Sequence, residues 1–367
     1  MKLSSIEIFR YDLPLIRPVF IGKNSMCVRS GIVLRIKDET GHMGYGEVAP
    51  LAGFHYETID QALTQLFNVK HVLVGEEIPD NIAKLDGSFE DLLGRLGLLP
   101  SVRFGMEVAL LNLLADRTGV AFHELISDAV HNEIYINGLL MGDCDTVKED
   151  AAYMARQGYR SIKLKVGHQQ VTSDINMVKE VRGIIGRGIS LRLDANRAWP
   201  LDKAVAFGQA VKEYDIEYIE EPVDDPDMFS IFFRKTGIGI ALDESFDPAR
   251  SKFFMTDPAI KGLILKPSFL GGLEKTVKLI GEARALGVSP VISSAFYSGI
   301  GLSVLAMVTA AFIPEGTAMG LDTYRLMKED LLVKPFRASH GRIDIVQISA
   351  DCQNIRMDFL RPVPQSV

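Results

Sequence analysis

Eight short, β-rich apolar runs recur along the second half of the chain, and their spacing limits the fold more than any other feature. The runs are 134–140, 161–166, 190–194, 217–220, 240–243, 262–266, 288–293 and 317–321. Several close on a charged or polar side chain: Lys165, Asp194, Glu220, Asp243, Lys266 and the pair Ser293 and Ser294. The steps between these ends are 29, 26, 23, 23 and 27 residues, the length of one strand, one helix and two loops. A βα unit repeated this steadily predicts a parallel α/β barrel rather than an open sheet. In such a barrel the active site lies at the carboxyl ends of the strands, where these side chains stand.

The flanking segments read differently. Residues 3–13, 29–37 and 44–48 predict antiparallel strands, followed by helices near 58–69 and 102–118. Residues 341–347 and 354–360 predict two late strands, placed most easily against the first domain. The expected organisation is therefore an α+β capping domain over 1–128, the barrel over 129–330, and a segment over 331–367 that returns to the cap.

With 367 residues and 47% hydrophobic composition, the chain can bury a large core. Forty Lys and Arg stand against 47 Asp and Glu, a net charge of −7. No basic stripe is present, which argues against nucleic acid as a partner. Cys27, Cys144 and Cys352 are far apart and form no C-x-x-C pair, so a disulfide framework or thiolate metal site is not expected and a reducing cytoplasm fits. Arg10 and Asp12 interrupt the start before a signal-like apolar stretch can form. The uncharged stretch 287–314 is long enough to span a bilayer. Pro290, Ser293, Ser294, Ser298 and Gly301 divide it, so a strand, a polar loop and a helix are expected instead of a membrane span.

Asp194, Glu220 and Asp243 end three successive strands, so their carboxylates should converge at one rim. One acidic residue at a strand end can be a helix N-cap. Three together repel, and a hard cation relieves the repulsion. An all-oxygen set with room for water and substrate suits Mg²⁺ better than zinc. Lys163 and Lys165 share one face of the preceding strand, and Lys266 ends the following one. A lysine near ~10.4 must be depressed by roughly three pH units, about 4 kcal/mol, to act as a base at neutral pH. A neighbouring ammonium and a metal both push that way. Structural pairing of the lysines with the acids is the alternative.

The series Lys163-Leu164-Lys165, Asp194-Ala195-Asn196-Arg197-Ala198-Trp199, Glu220-Glu221-Pro222, Asp243-Glu244-Ser245 and Lys266-Pro267 resembles the enolase superfamily. The resemblance implies a modified TIM barrel, (β/α)7β, under an α+β cap, with Mg²⁺ or substituting Mn²⁺ and a lysine base for a small carboxylate substrate. No histidine lies between His168 and His340, which leaves the lysine–lysine subgroup. Residues 44–54, Gly-Tyr-Gly-Glu-Val-Ala-Pro-Leu-Ala-Gly-Phe, with Val291-Ile292-Ser293-Ser294 and Gly320-Leu321-Asp322-Thr323, are similar to the o-succinylbenzoate synthases. That likeness implies dehydration of 2-succinyl-6-hydroxy-2,4-cyclohexadiene-1-carboxylate in menaquinone biosynthesis. Lys165 would be the base, Lys163 would lower its pKa and Lys266 would stabilise the aromatic face. Metal would bind Asp194, Glu220 and Asp243. Ser293, Ser294, Asn196 and Phe54 would contact substrate, under capping loops near 16–29 and 50–56. Racemisation of N-acylamino acids, other epimerisation and cycloisomerisation use the same parts. Carboxylate binding without turnover, and a Schiff-base aldolase, leave either the lysines or the carboxylates unexplained. Oligomeric state is left open.

Overall fold

In the computed structural model, residues 1–21, 24–167, 170–247 and 251–364 are described. The cap is built on three antiparallel strands: β1 (Leu3–Ile21), β2 (Asn24–Asp38) and β3 (Met43–Val48). A helix, Pro100–Thr118, is buried through most of its length against β3. Gly44 and Gly46 allow this approach, because a Cβ on either would collide with the carbonyl of Ala109 or Gly105. A second helix, Ile59–Leu73, starts from a Thr58/Gln61 capping box.

β1 and β2 run well past the expected ends. Pro14 and Pro18 read as breakers, but an irregularity between Pro14 and Val19 absorbs them and the ladder resumes at Val19↔Met26. Val19 and Ile21 are buried while Phe20 faces solvent, the period of two that a continuing strand requires. The first expected capping loop, near 16–29, is therefore a hairpin arm; residues 22–23 lie outside the described residues.

The second half forms a ring of eight parallel strands: β4 (Glu133–Leu140), β5 (Ser161–Lys165), β6 (Ser190–Asp194), β7 (Ile216–Glu220), β8 (Ile240–Leu242), β9 (Ile260–Leu265), β10 (Ser289–Ile292) and β11 (Ala318–Met319). They neighbour one another in sequence order, β11 pairs with β4, and a bridge from Ser293 to Gly320 joins β10 to β11. Stretch 287–314 contributes β10 and the helix Gly299–Phe312. Among the described residues no helix is long and apolar enough to cross a membrane.

The late strands differ from expectation. Only β12 (Arg342–Asp344) forms near 341–347, and it pairs with β4 of the barrel rather than with the cap. Asp344 caps the helix Ile345–Asp351, ending the strand. Residues 354–360 form no strand; the return to the cap is β13 (Arg361–Pro362), which pairs with Phe9 and Arg10 of β1.

Three buried carboxylates join cap to barrel. Glu47 of β3 accepts from the backbone of Ser298 and Gly301, at the start of Gly299–Phe312. Glu107 accepts from Leu273 and Glu274, at the start of the helix Leu273–Ala285. Glu274 in turn accepts from Gly87, Phe89 and Glu90 of the cap. Each satisfies N–H groups that a helix start leaves open and sits at the positive end of its dipole.

Candidate active site

Parallel register sets the side chains at one height. Lys165 is opposite Asp194, and Asp194 is opposite Glu220. Asp243 and Lys266 follow the last residues of β8 and β9. These side chains line a cavity of about 1190 Å³ at the carboxyl rim, roofed by the hairpin arm and by the loop that holds Phe54. Of the remaining sequence candidates, Lys163, Asn196, Ser293 and Ser294 also reach this cavity.

The charges form a tight network. Lys163 Nζ donates to Asp194 Oδ2 at 3.0 Å and to Glu220 Oε2 at 3.1 Å. Lys165 Nζ donates to Asp194 Oδ2 and to Asn196 Oδ1, both at 2.6 Å. Lys266 pairs with Asp243, and its Nζ lies 4.5 Å from the centre of the Phe54 ring. Burial pushes both Asp194 and Glu220 up, but Lys165 and Lys163 outweigh it at Asp194 and hold that carboxyl well below its usual range. Glu220 goes well above its usual range through burial and the repulsion of Asp194. Two adjacent carboxylates sharing ammonium groups behave this way: one keeps the charge.

Burial pushes Lys163 and Lys266 down, yet the surrounding carboxylates outweigh it and hold both above the ordinary lysine value. At Lys163, a member of the pair for which lysine–lysine repulsion predicted a depression, the carboxylates around it reverse that expectation. Among the described residues no three His, Cys, Asp or Glu side chains are grouped as ligands. Lys163 bridges Asp194 and Glu220, and Lys266 pairs with Asp243. The donor set nevertheless suits a hard divalent ion, being all oxygen and buried.

Backbone strain concentrates at the same rim. Asn196, Arg197, Glu221 and Phe296 have φ of 43°, 60°, 48° and 59°, in the left-handed region that non-glycine residues rarely occupy. Glu221, next to Glu220, turns away from the cavity and accepts from the backbone of Asp243 and Ser245 at 2.7 and 2.9 Å, which fixes the turn after β8. Ser294 Oγ accepts from Thr323 Oγ1 at 3.0 Å and from the Tyr297 backbone, so it also has a local structural role.

Several contributors were not among the site residues expected from the sequence. Arg29 is buried and donates to the carbonyls of Ala49, Pro50, Ala295 and Phe296, tying β2, the Phe54 loop and the loop after β10 together. Burial lowers His55 to about 4. Its Nδ1 accepts from Leu51 N–H, which leaves Nε2–H to donate to Ser268 Oγ, 3.2 Å away and beside Lys266-Pro267. Arg17 of the hairpin arm pairs with Asp150 at 2.9 Å, and Asp150 pairs with Arg325. Asp322, in the cavity wall, accepts from Leu139 N–H and Tyr159 OH, and burial raises it to about 6. The contacts of Arg29 with the loop after β10, of His55 with Ser268, of Asp150 with Arg17 and Arg325, and of Asp322 with Leu139 and Tyr159 each join residues more than 100 positions apart, which no local pattern can reveal.

Residues 146–348 match the family described as enolase C-terminal domain-like, and residues 3–113 match MenC, N-terminal domain. The chain is 32% identical to the o-succinylbenzoate synthase of Klebsiella pneumoniae (strain 342), over 92% of this chain and 96% of that protein. It is 33% identical to protein PHYLLO, chloroplastic, of Arabidopsis thaliana, over 90% of this chain and 22% of that protein, so it spans about a fifth of PHYLLO. The fold superposes on muconate lactonizing enzyme from Pseudomonas fluorescens, complexed with muconolactone, with a TM-score of 0.86, 22% identity and coverage of 98% and 99% of the two chains. It also superposes on a dipeptide epimerase from Enterococcus faecalis V583, complexed with Mg and a dipeptide, with a TM-score of 0.84, 22% identity and coverage of 94% and 97%.

Proposed function

The chain belongs to the o-succinylbenzoate synthase family of the enolase superfamily, and from that premise we propose that it dehydrates 2-succinyl-6-hydroxy-2,4-cyclohexadiene-1-carboxylate to o-succinylbenzoate, a step of menaquinone biosynthesis. One observation supports this above the rest. Lys165, Asp194, Glu220, Asp243 and Lys266 end five successive strands, and four strands in a ring of eight put the two lysines on opposite sides of the cavity.

Lys165, as the neutral amine, takes the α-proton of the ring carboxylate. The same nitrogen, now an ammonium, delivers a proton to the departing hydroxyl on the same face, so the group is restored in one turnover. A magnesium ion, or manganese in its place, held by Asp194, Glu220 and Asp243 would supply positive charge where negative charge builds on that carboxylate. Lys266 faces the ring from the other side as a cation, and Lys163 lies beside the carboxylate. Ser293 and Ser294 would hold the succinyl tail. Phe54 closes over the ring.

A second reading is epimerisation of an N-acylamino acid, favoured by the same opposed lysines, which would serve as two bases. The test follows formation of the aromatic product from the cyclohexadiene acid with Mg²⁺, with and without chelator. In parallel, N-succinylamino acids in D₂O are examined for α-deuterium. Mg²⁺-dependent dehydration that stops with chelator is the expected result. Deuterium uptake without dehydration would replace this reading with the second, and full turnover in excess chelator would remove the metal assignment.

A further inference from the structure

Lys165 is held by two acceptors, and one of them is itself held. Asn196 Nδ2 donates to Glu244 Oε1 at 2.6 Å, while Asn196 Oδ1 accepts from Lys165 Nζ at 2.6 Å. Asn196 N–H donates to Asp194 Oδ1 at 3.1 Å, and the backbone around it is in the left-handed conformation, φ 43°. The turn thus places the amide between the lysine and the second carboxylate instead of letting it reach into the cavity alone. Glu244 Oε2 is buried with no hydrogen-bond partner among the described residues, so this carboxylate is kept in place at a desolvation cost.

We propose that Glu244 and Asn196 are positioning residues that aim the reacting nitrogen of Lys165. A neutral lysine amine has two N–H donors and one lone pair. Asp194 Oδ2 and Asn196 Oδ1 accept the two N–H bonds, so the lone pair takes the remaining direction, toward the cavity that Lys165 lines. After proton uptake the third N–H occupies that same direction. One fixed geometry therefore serves both proton removal and proton delivery, as reaction on a single face requires. An ammonium would by itself keep Oδ1 facing it, since it can only donate. A neutral amine would not, because the amide could then rotate and offer its own N–H to the lone pair, which would disable the base. Glu244 prevents that rotation by accepting from Nδ2.

The proposal rests on the function given above only in naming the leaving group; the aim of the base applies to any α-proton removed by Lys165. Four proteins test it: wild type, N196L, E244Q and the double variant N196D/E244Q. N196L removes the acceptor at nearly constant size. E244Q supplies a side-chain amide that can donate and so permits the Asn196 amide to turn. The double variant restores an acceptor toward Lys165, because the introduced amide can donate to the introduced carboxylate. We expect kcat to fall on the order of 10²-fold in N196L with KM nearly unchanged, as for loss of a precisely placed general base. E244Q should fall less, and the double variant should recover at least tenfold over N196L. Mg²⁺ affinity, measured by calorimetry, should stay within about twofold in all four. Wild-type kcat in both single variants, or a double variant no more active than N196L, would overturn the proposal. So would a loss of Mg²⁺ affinity that accounts for the fall in kcat. If wild type exchanges the α-proton of N-succinylamino acids but does not dehydrate, the function assigned above fails, and the same four proteins compared on exchange still decide the role of Asn196 and Glu244.

Discussion

Lys266 carries an ion pair with Asp243 and an aromatic ring on its other side, and neither contact requires it to give up a proton. In the dehydration proposed above it acts as an electrostatic group, in the epimerisation as a base, and the distinction is measurable. Arginine keeps a cation at this site and has almost no neutral form. Lys266→Arg should retain measurable dehydration, whereas Lys266→Ala should lose most of it. Lys165→Ala should lower kcat by about 10²–10⁴-fold, the range of a general base. Equal inactivity of the two Lys266 variants, both folded and metal-loaded, would remove the division of labour. At this scale the sequence was informative where chemistry and spacing coincide: Lys163, Lys165, Asp194, Glu220, Asp243 and Lys266 all reach one cavity. Glu244 and Asn196 were next to these residues in sequence, but their mutual hydrogen bond joins the turns after β6 and β8, and a linear pattern does not register it.

The barrel strands were legible because a parallel strand buried on both faces must be apolar and must end where its loop begins. β6 occupies the expected residues 190–194, and β5 ends one residue before the expected 166. The hairpin arm was not legible, since prolines that normally end a strand are here taken up by an irregularity in the ladder. The Phe54 loop is held from three sides, by Arg29, by His55 on Ser268 and by the ring on Lys266. Phe54→Ala should therefore raise KM about fivefold or more while leaving thermal stability nearly unchanged, because the ring is only partly buried and its principal polar neighbour is Lys266. Steady-state kinetics beside a melting curve check this. A lower melting temperature with unaltered KM would assign Phe54 to packing between the cap and the barrel.

At the scale of the whole molecule, the cap and barrel share buried carboxylates whose proton affinity differs between folded and unfolded chains. Burial raises Glu107 to about 7 against an ordinary 4.5, despite Arg103 beside it, and burial raises Glu47 in the same direction. Between roughly pH 4.5 and 7 the folded protein holds a proton at Glu107 that the unfolded chain releases. This contribution is present in full below 4.5 and is lost as pH rises through 7, so stability should decline across that window by an amount on the order of 3 kcal/mol from this group. Urea unfolding from pH 5 to 7.5 should show the decline, and Glu107→Gln should flatten it. An equal slope in the variant would place the pH dependence elsewhere.

The crossed helix caps also set an order of events during synthesis. The cap is translated first, but Glu47 and Glu107 have no helix starts to hold until residues 298–301 and 273–274 have left the ribosome. The partner that covers the edge of β1 arrives only with Arg361 and Pro362. Through most of translation the nascent cap therefore carries two buried-type carboxylates that have only their cap partners, Tyr11 and Arg103, and lack the helix-start donors, together with an open strand edge, both disfavoured in a finished domain. Its final packing has to wait for the barrel, and a chaperone acting on this chain would be expected to hold its first third longest.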